Sequence, residues 1–175
     1  PGASGGNGGV TFYLDIFPSN TLSYTQNLQS TVQTLSTTTT NQFDFVTTLT
    51  SPQITYPLTI PPGFYTLYLF NQITGGDWNI NYELYPYNPT TSSLGTSIGQ
   101  SYTLSVTSST TSPILNYMIG SSTVLDGSSY TQLLLRISLT LISGSGNFTI
   151  KSQVSGEYSV LQTTFTPPGN TGAQG

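Results

Sequence analysis

The stretch WNINYELYPY, residues 78–87, indicates the fold class of this 175-residue chain. Apolar side chains occupy every second position from Trp78 to Leu84, and the positions between them are mainly polar. A period of two is the pattern of a β-strand that buries one of its faces. We therefore expect a strand here, with the Trp78 side against a core and the Asn79 side toward water.

The same pattern recurs along most of the chain, in short segments separated by Gly, Pro, Asn and Ser. Further strands are predicted at residues 10–17, 43–49, 53–60, 64–72, 101–106, 114–120, 130–142, 147–153 and 158–165. About ten short strands at this spacing predict an all-β fold, an antiparallel two-sheet sandwich that is jelly-roll-like. The glycine-rich stretch at residues 143–147 is interpreted as the turn of a hairpin.

One segment, residues 19–41, does not fit this pattern. Leu28, Val32 and Leu35 have helical spacing, but the threonine-rich tract after them is a poor helix former. We expect a long loop that contains at most a strand or a turn of helix.

Two features are candidates for glycosylation. Asn147 begins an N-x-Ser/Thr sequon, although a chance sequon is expected in so threonine-rich a chain. The threonine tract offers candidate sites of O-linked sugar at Thr37, Thr38, Thr39 and Thr40.

The composition excludes several classes of function. Charged residues make up only 5% of the chain, and two bases against six acids cannot form the basic stripe that nucleic acid requires. The chain has no histidine and no cysteine, which rules out Ser-His-Asp or Cys-His catalysis and thiolate or imidazole metal sites. No apolar run approaches the ~20 residues of a spanning helix. We expect no enzyme activity, no cofactor, no nucleic-acid partner and no membrane span.

The carboxylates leave two alternatives open. Glu83 and Glu157 are candidates for a pair that cleaves glycosides. Asp77 and Asp126 stand beside glycines and are candidates for a calcium site. The competing interpretation is that all four are ordinary strand and turn carboxylates, which hydrogen-bond to nearby backbone.

Aromatic side chains crowd the middle of the chain. Trp78, Tyr82 and Tyr85 are candidate contacts for a glycan, since Tyr and Trp rings stack on sugar faces. The competing interpretation is that alternating aromatics fill the sandwich core or an interface between copies.

Glycine occupies every third position at both ends of the chain. These glycines are Gly2, Gly5, Gly8, Gly169, Gly172 and Gly175. A collagen triple helix requires this register because only a hydrogen atom fits at its axis, whereas a flexible linker is the alternative. We expect residues 1–9 to be a collagen-like or Gly-rich flank, 10–166 a β-sandwich domain, and 167–175 the start of a collagen-like segment within a longer polypeptide.

Four segments resemble the β-domain of collagen-like fibre proteins of phages, large DNA viruses and bacterial surfaces. They are GVTFYLD (9–15), LTIPPGFYTLYLF (58–70), INYELYPYN (80–88) and YSVLQTTF (158–165). This chain departs from that group at Pro62, where we expect Ala, and at Phe64-Tyr65, where we expect Trp. The resemblance implies no active-site residues.

The resemblance implies a structural component of an extracellular, cell-surface or virion-surface fibre. Together with the collagen-like ends, it predicts a homotrimer whose β-domains join triple-helical segments. The alternative is a fibre module that binds a surface polysaccharide or a host receptor.

Overall fold

The computed structural model describes residues 9–47 and 56–164, which form fifteen β-strands and no helix. The strands are β1 (Thr11–Asp15), β2 (Thr21–Ser23), β3 (Gln33–Thr37), β4 (Asn41–Thr47), β5 (Leu58–Ile60), β6 (Gly63–Ile73), β7 (Asp77–Asn88), β8 (Ser93–Leu94), β9 (Gly99–Gln100), β10 (Leu104–Val106), β11 (Ile114–Gly120), β12 (Thr123–Leu125), β13 (Gln132–Ser143), β14 (Phe148–Ser152) and β15 (Val160–Gln162). The prediction of an all-β fold is confirmed. Within these two ranges, no helix is long and apolar enough to cross a membrane.

Thirteen strands form one hydrogen-bonded sheet, ten of them along a continuous path, and β5 pairs separately with β12. The path runs β10-β7-β13-β4-β2-β1-β15-β6-β14-β3, with β11 added at β6 and both β8 and β9 added at β7. The parallel pair of β2 with β4 makes the sheet mixed, whereas a purely antiparallel arrangement was expected. That pair joins two parts of the path, which we name the β7 half (β4, β7, β10 and β13) and the β6 half (β1, β6, β11, β14 and β15).

The two halves pack against each other around one core. The Tyr82 hydroxyl of β7 lies 3.1 Å from the carbonyl oxygen of Tyr65 in β6 and 3.2 Å from that of Asn116 in β11. The Trp78 ring meets the Phe148 ring of β14 edge-on, with centroids 5.6 Å apart. Because Trp78 and Tyr82 occupy the inward positions of their strand, the period of two in the sequence corresponds to burial in the structure.

The prediction that residues 143–147 close a hairpin is wrong. β13 pairs with β4 and β7, whereas β14 pairs with β3 and β6, so this loop crosses from one half to the other. The β6–β7 loop crosses beside it, since Thr74 N donates to Asn147 O at 3.0 Å. A Cβ atom at Gly146 would lie 2.3 Å from the Gly75 carbonyl oxygen. The glycines therefore serve the close approach of two crossing loops rather than a tight turn.

The segment at residues 19–41 contains two strands, β2 and β3, where at most one was expected. Its helical spacing does not describe a buried face, because Leu28 and Val32 are exposed and only Leu35 packs against the core. Leu35 stands opposite Ile150 of β14, so a cross-strand partner decides its conformation.

The loop after β1 is held by a fully buried glutamine. Gln153 Oε1 accepts hydrogen bonds from the backbone N–H groups of Ile16 and Phe17 at 2.6 and 2.7 Å. Its Nε2 donates to the carbonyl oxygens of Phe17 and Asn27 at 2.9 and 3.1 Å. One side chain thus satisfies four backbone groups of a segment that has few partners in the sheet.

Candidate functional site

The outward face of the β7 half is polar and charged. The register places Asp44, Arg136 and Glu83 side by side on β4, β13 and β7. Arg136 donates to both carboxylate oxygens of Asp44 at 2.9 and 3.0 Å, and this bond raises the pKa of the guanidinium. Neighbouring outward positions carry Gln42, Asn79, Asn81, Ser105, Ser138 and Thr140. An antiparallel sheet commonly presents such a face to water.

The outward face of the β6 half is different, because it is largely apolar across β11, β6, β15 and β1. Its exposed charge is confined to β14, where Lys151 stands opposite Phe70 and pairs with Glu157. One row across β11, β6, β15 and β1 consists of Leu115, Tyr68, Val160 and Tyr13. The next row consists of Tyr117, Thr66, Gln162 and Thr11, and a third begins with Ile119 and Phe64. The contrast between the two outward faces is the main asymmetry of the described surface.

We name the open part of this surface, together with Tyr102 of the β9–β10 loop that stacks on it, the aromatic face. Its residues are Phe64, Tyr68, Tyr102, Leu115, Tyr117 and Ile119. Ile119 is 77% exposed, and Tyr102 and Phe64 are 48% and 45% exposed. The Tyr117 ring lies 5.6 Å from the Phe64 ring and 6.4 Å from the Tyr102 ring, with the planes of each pair nearly parallel. Contiguous exposed apolar surface of this kind is often functional in proteins, which makes the aromatic face a candidate contact site.

A groove of about 450 Å³ borders the aromatic face. It is lined by Gly9, Thr11, Phe64, Thr66, Gln162, Thr163 and Thr164. The Thr11 hydroxyl donates to Gln162 Oε1 at 2.6 Å, and the Phe64 N–H donates to the Thr164 hydroxyl at 3.0 Å. Because no charged side chain lines it, the groove suits apolar or neutral polar groups.

The two ends of the described domain lie next to this groove. Gly9 N donates to Thr163 O at 3.1 Å, and Thr163 N donates to Val10 O at 3.0 Å. The collagen-register glycines Gly2, Gly5, Gly8, Gly169, Gly172 and Gly175 lie outside the described residues. Their two segments connect to the domain at neighbouring points of one edge.

The structure does not support Trp78 and Tyr82 as glycan contacts. They are 1% and 0% exposed, and the indole N–H of Trp78 donates to Gly75 O at 2.9 Å. Burial in the core contradicts a role in stacking on a sugar, and it agrees with the competing interpretation.

Tyr85, the third predicted contact, is half-buried on the outward face of the β7 half. Its hydroxyl donates to Glu83 Oε1 at 2.5 Å, and its ring centroid lies 5.7 Å from the Arg136 guanidinium carbon. Burial and the adjacent Glu83 carboxylate raise the pKa of Tyr85 to about 12. This tyrosine is therefore bound within a polar cluster and contributes little open ring surface.

Sequence reasoning missed the aromatic face, although β11 carried a signal. In ILNYMIG, Ile114 and Met118 point inward and are buried, whereas Leu115, Tyr117 and Ile119 point outward. A strand with apolar residues at both sets of positions lacks the water-facing side that an exposed edge of a sheet normally has.

The glycosylation candidates differ in their accessibility. Thr37 is buried and its hydroxyl donates to Thr39 O at 2.8 Å, so the structure contradicts Thr37 as an attachment site. Thr38, Thr39 and Thr40 are exposed. Asn147 is half-buried in the crossing loop, and its Oδ1 is enclosed with no hydrogen-bond partner in the described part of the chain.

The candidate carboxylates hold local partners. Asp126 Oδ1 accepts from the N–H groups of Tyr130, Ser128 and Ser129 at 2.7–3.0 Å, which lowers its pKa. Asp77 accepts from Ser143, Glu83 from Tyr85, and Glu157 lies 3.5 Å from the Lys151 ammonium. Across residues 9–47 and 56–164, no three metal-ligating side chains gather in one place. These contacts agree with the interpretation of ordinary strand and turn carboxylates.

Asp15 is the one carboxylate enclosed near the edge of the core. It is 4% exposed and accepts hydrogen bonds from the hydroxyls of Tyr158 and Ser23. Tyr158 in turn accepts from Asn27 N at 2.7 Å. Burial raises the pKa of Asp15 above its ordinary value of 3.8, and the two hydroxyl donors offset part of this effect.

This shift predicts how stability depends on pH. Because folding raises the pKa of Asp15, its ionised form opposes folding, and stability is gained as the pH falls through the raised folded-state pKa. Asp15→Asn keeps an acceptor for Tyr158 but does not titrate. Urea unfolding from neutral pH to about pH 4 should show the parent chain gaining stability relative to Asp15→Asn. A difference that stays constant with pH would contradict the assignment.

No protein-family model matches the sequence, and no curated protein matches it. The fold is similar to that of a CocE/NonD family hydrolase from Staphylococcus aureus, with a TM-score of 0.58 and 10% identity over 88% of this chain. It is also similar to an alpha-amino acid ester hydrolase, with a TM-score of 0.56 and 10% identity over 89% of this chain. This chain spans 36% of the length of each of those chains. At such low identity the likeness shows the fold alone.

Proposed function

We propose that this chain is a structural component of an extracellular, cell-surface or virion-surface fibre. In this proposal the domain is a two-sheet, jelly-roll-like sandwich that forms a homotrimer and joins collagen-like triple-helical segments. Packing of the β7 half over the β6 half through Tyr82, Tyr65 and Asn116 supports the sandwich description.

The observation that carries the proposal is the pairing of the two ends of the domain. β1 and β15 are neighbours in the sheet, and the backbone bonds between Gly9, Val10 and Thr163 continue that pairing to the last described residues. A domain whose ends lie side by side at the surface can be inserted in a longer chain without disturbing its core. This is the property that a repeating or interposed unit of a fibre needs.

A trimeric domain would also solve a problem of the collagen-like flanks. A triple helix needs three chains aligned with glycine in the same register, and its first turns are the costly step. A trimer holds three flanks close together, which raises their effective concentration. Each copy carries a net charge of −4, and salt at physiological ionic strength screens the repulsion between the exposed charges of different copies.

The trimer can be tested by measuring mass. We expect the chain, with both flanks lengthened by Gly-Pro-Pro triplets, to have the mass of three copies by light scattering. It should also show the circular dichroism of a triple helix. The matched control carries alanine in place of every glycine of the added triplets and of Gly2, Gly5, Gly8, Gly169, Gly172 and Gly175, which should abolish the triple-helical signal. A single-copy mass for the lengthened chain at every concentration would refute the proposed trimer.

A second candidate function is binding of a neutral glycan, through the exposed rings of Phe64, Tyr117 and Tyr102 rather than through Trp78. Three neighbouring rings on one open surface favour it, because carbohydrate faces stack on aromatic side chains. The experiment in the next subsection separates this candidate from contact between copies.

A further inference from the structure

We propose that the aromatic face is the contact surface between copies of this chain. This inference rests on the proposed function, which requires self-association but does not say which surface performs it. The occupant of the face is a second copy, and the copies turn their β6 halves toward one another.

The distribution of charge favours a neutral partner such as a second copy. Charged side chains lie on the outward side of the β7 half, on β14 or just after it, in exposed turns, or enclosed near the edge of the core. They are Asp15, Asp44, Asp77, Glu83, Asp126, Arg136, Lys151 and Glu157. None belongs to the aromatic face. Two such faces therefore meet without leaving an ion desolvated and unpaired, which is the costly outcome at an interface.

The size of the face sets the area that a contact between copies can bury. Five side chains of the aromatic face are 37–77% exposed, and they are Phe64, Tyr102, Leu115, Tyr117 and Ile119. Because a large side chain has about 150–250 Å² of surface when free, on the order of 500 Å² is open on each copy. Two copies then bury about 1,000 Å², the lower limit for a specific protein interface. In a closed trimer each copy divides this face between two neighbours, so each contact buries about 500 Å² from these side chains. The flanking Tyr13 and Val160 must then extend the surface.

The shape of the face suits a rotational assembly. Ile119 protrudes from it, and the groove beside Phe64 forms a recess on the same surface. A closed ring of three copies uses head-to-tail contacts, in which one patch meets a different patch of the next copy. A protrusion and a recess at separate points of one protomer fit that requirement.

The position of the face links it to the flanks. The Phe64 N–H donates to the Thr164 hydroxyl, and Gly9 pairs with Thr163, so both joints lie at the margin of the aromatic face. Packing these faces around a common axis brings the joints of all copies to the same end of the assembly. The incoming and outgoing collagen-like segments would then leave from one pole rather than from opposite poles.

Contact between copies fits the face better than a glycan does. Leu115 and Ile119 flank the rings, and they offer no hydrogen bonds to sugar hydroxyl groups, which lose free energy when they are buried without partners. A second copy presents aliphatic and aromatic groups that match them.

The test uses two exposed isoleucines as a matched pair. Ile119→Glu places a charge on the aromatic face, and Ile142→Glu places the same charge at the end of β13 in the β7 half, where Ile142 is 56% exposed. Light scattering of the 175-residue chain and of the chain with lengthened flanks gives the mass. We expect association to weaken by roughly 30-fold or more for Ile119→Glu and to stay unchanged for Ile142→Glu.

A second measurement detects the contact between copies directly, by chemical cross-linking, and does not require a variant that makes the copies dissociate. The chain has no cysteine, so Ile119→Cys and Ile142→Cys each carry one reactive thiol. In a head-to-tail contact Ile119 of one copy meets the groove of the next copy, which Thr164 lines. A short bis-maleimide should therefore join Ile119→Cys copies to Thr164→Cys copies, and it should not join Ile142→Cys copies to them. Far-UV circular dichroism and thermal unfolding confirm that each variant is folded.

The outcomes separate this inference from the proposed function. If the parent chain is a trimer, Ile119→Glu is also a trimer, and no cross-link forms at position 119, then the aromatic face is not the contact. The proposed trimer would still stand. A parent chain that stays single with lengthened flanks overturns both. A glycan is the alternative occupant. The face would be assigned to it if the chain stayed single, bound to a neutral polysaccharide matrix, and lost that binding in Ile119→Glu or Tyr117→Ala.

Discussion

Trp78→Ala is expected to lower the free energy of unfolding by about 4 kcal/mol. The indole is 1% exposed, packs edge-on against Phe148 and donates to the Gly75 carbonyl. Alanine leaves a cavity between the two halves and removes the donor that holds the β6–β7 crossing loop. Because that loop packs against the β13–β14 loop at Gly146, one substitution weakens both of these crossing loops.

Urea unfolding monitored by far-UV circular dichroism measures this effect, since Trp78 is the chain's one tryptophan and its fluorescence is lost in the variant. Trp78→Phe is the matched control, because it keeps an aromatic ring in the core and removes the indole N–H. We expect it to cost roughly 1–3 kcal/mol. If Trp78→Ala unfolded within about 0.5 kcal/mol of the parent chain, the burial of this side chain would be refuted.

Gln153→Ala is expected to lower the free energy of unfolding by about 3 kcal/mol. The substitution removes a side chain that is 0% exposed and satisfies four backbone groups between Ile16 and Asn27. Desolvated N–H and C=O groups lose free energy when their partners disappear. We therefore expect the loop after β1 to open before the rest of the domain.

Gln72→Ala is the matched control, because Gln72 is an exposed glutamine on β6. It should change the free energy of unfolding by less than about 0.5 kcal/mol. Hydrogen exchange gives the local readout: the amides of Ile16 and Phe17 should lose protection in Gln153→Ala and keep it in Gln72→Ala. Equal stability of the two variants would show that the loop does not depend on Gln153.

The two outward faces of the domain give the proposed fibre a physical basis. The face with Asp44, Arg136 and Glu83 can remain in water in any assembly. The aromatic face, with Tyr117 between the rings of Phe64 and Tyr102, gains free energy when it is covered. A domain with these two sides would associate through one of them and keep the other soluble.

The residues of the candidate site were only partly predictable. The alternation around Trp78 and Tyr82 showed that one side of their strand is apolar, and the structure confirms that this side is buried. The sequence offered these rings as either core or glycan contacts because both uses require an apolar ring. The apolar outward positions of β11, from Leu115 to Ile119, carried the better signal for an exposed surface.

The sequence by itself determined that this chain is β-rich, carries little charge and lacks histidine and cysteine. These properties depend on composition and on a period of two, which neighbouring residues specify locally. Only the tertiary structure decided which strands are neighbours. The glycine loop at residues 143–147 has the same local pattern whether it closes a hairpin or crosses between halves, and the partners of β13 and β14 made it a crossing.

The aromatic face also depends on pairings between distant parts of the chain. Ile119 stands opposite Phe64, and Gly9 bonds to Thr163, although more than fifty residues separate the members of each pair. Alternation specifies two sides of a strand but not what covers either side. Long-range pairing therefore placed Trp78 in the core and left Tyr117 exposed. Both are aromatic residues of alternating strands, so the strands that cover them, rather than their residue type, account for the difference in burial.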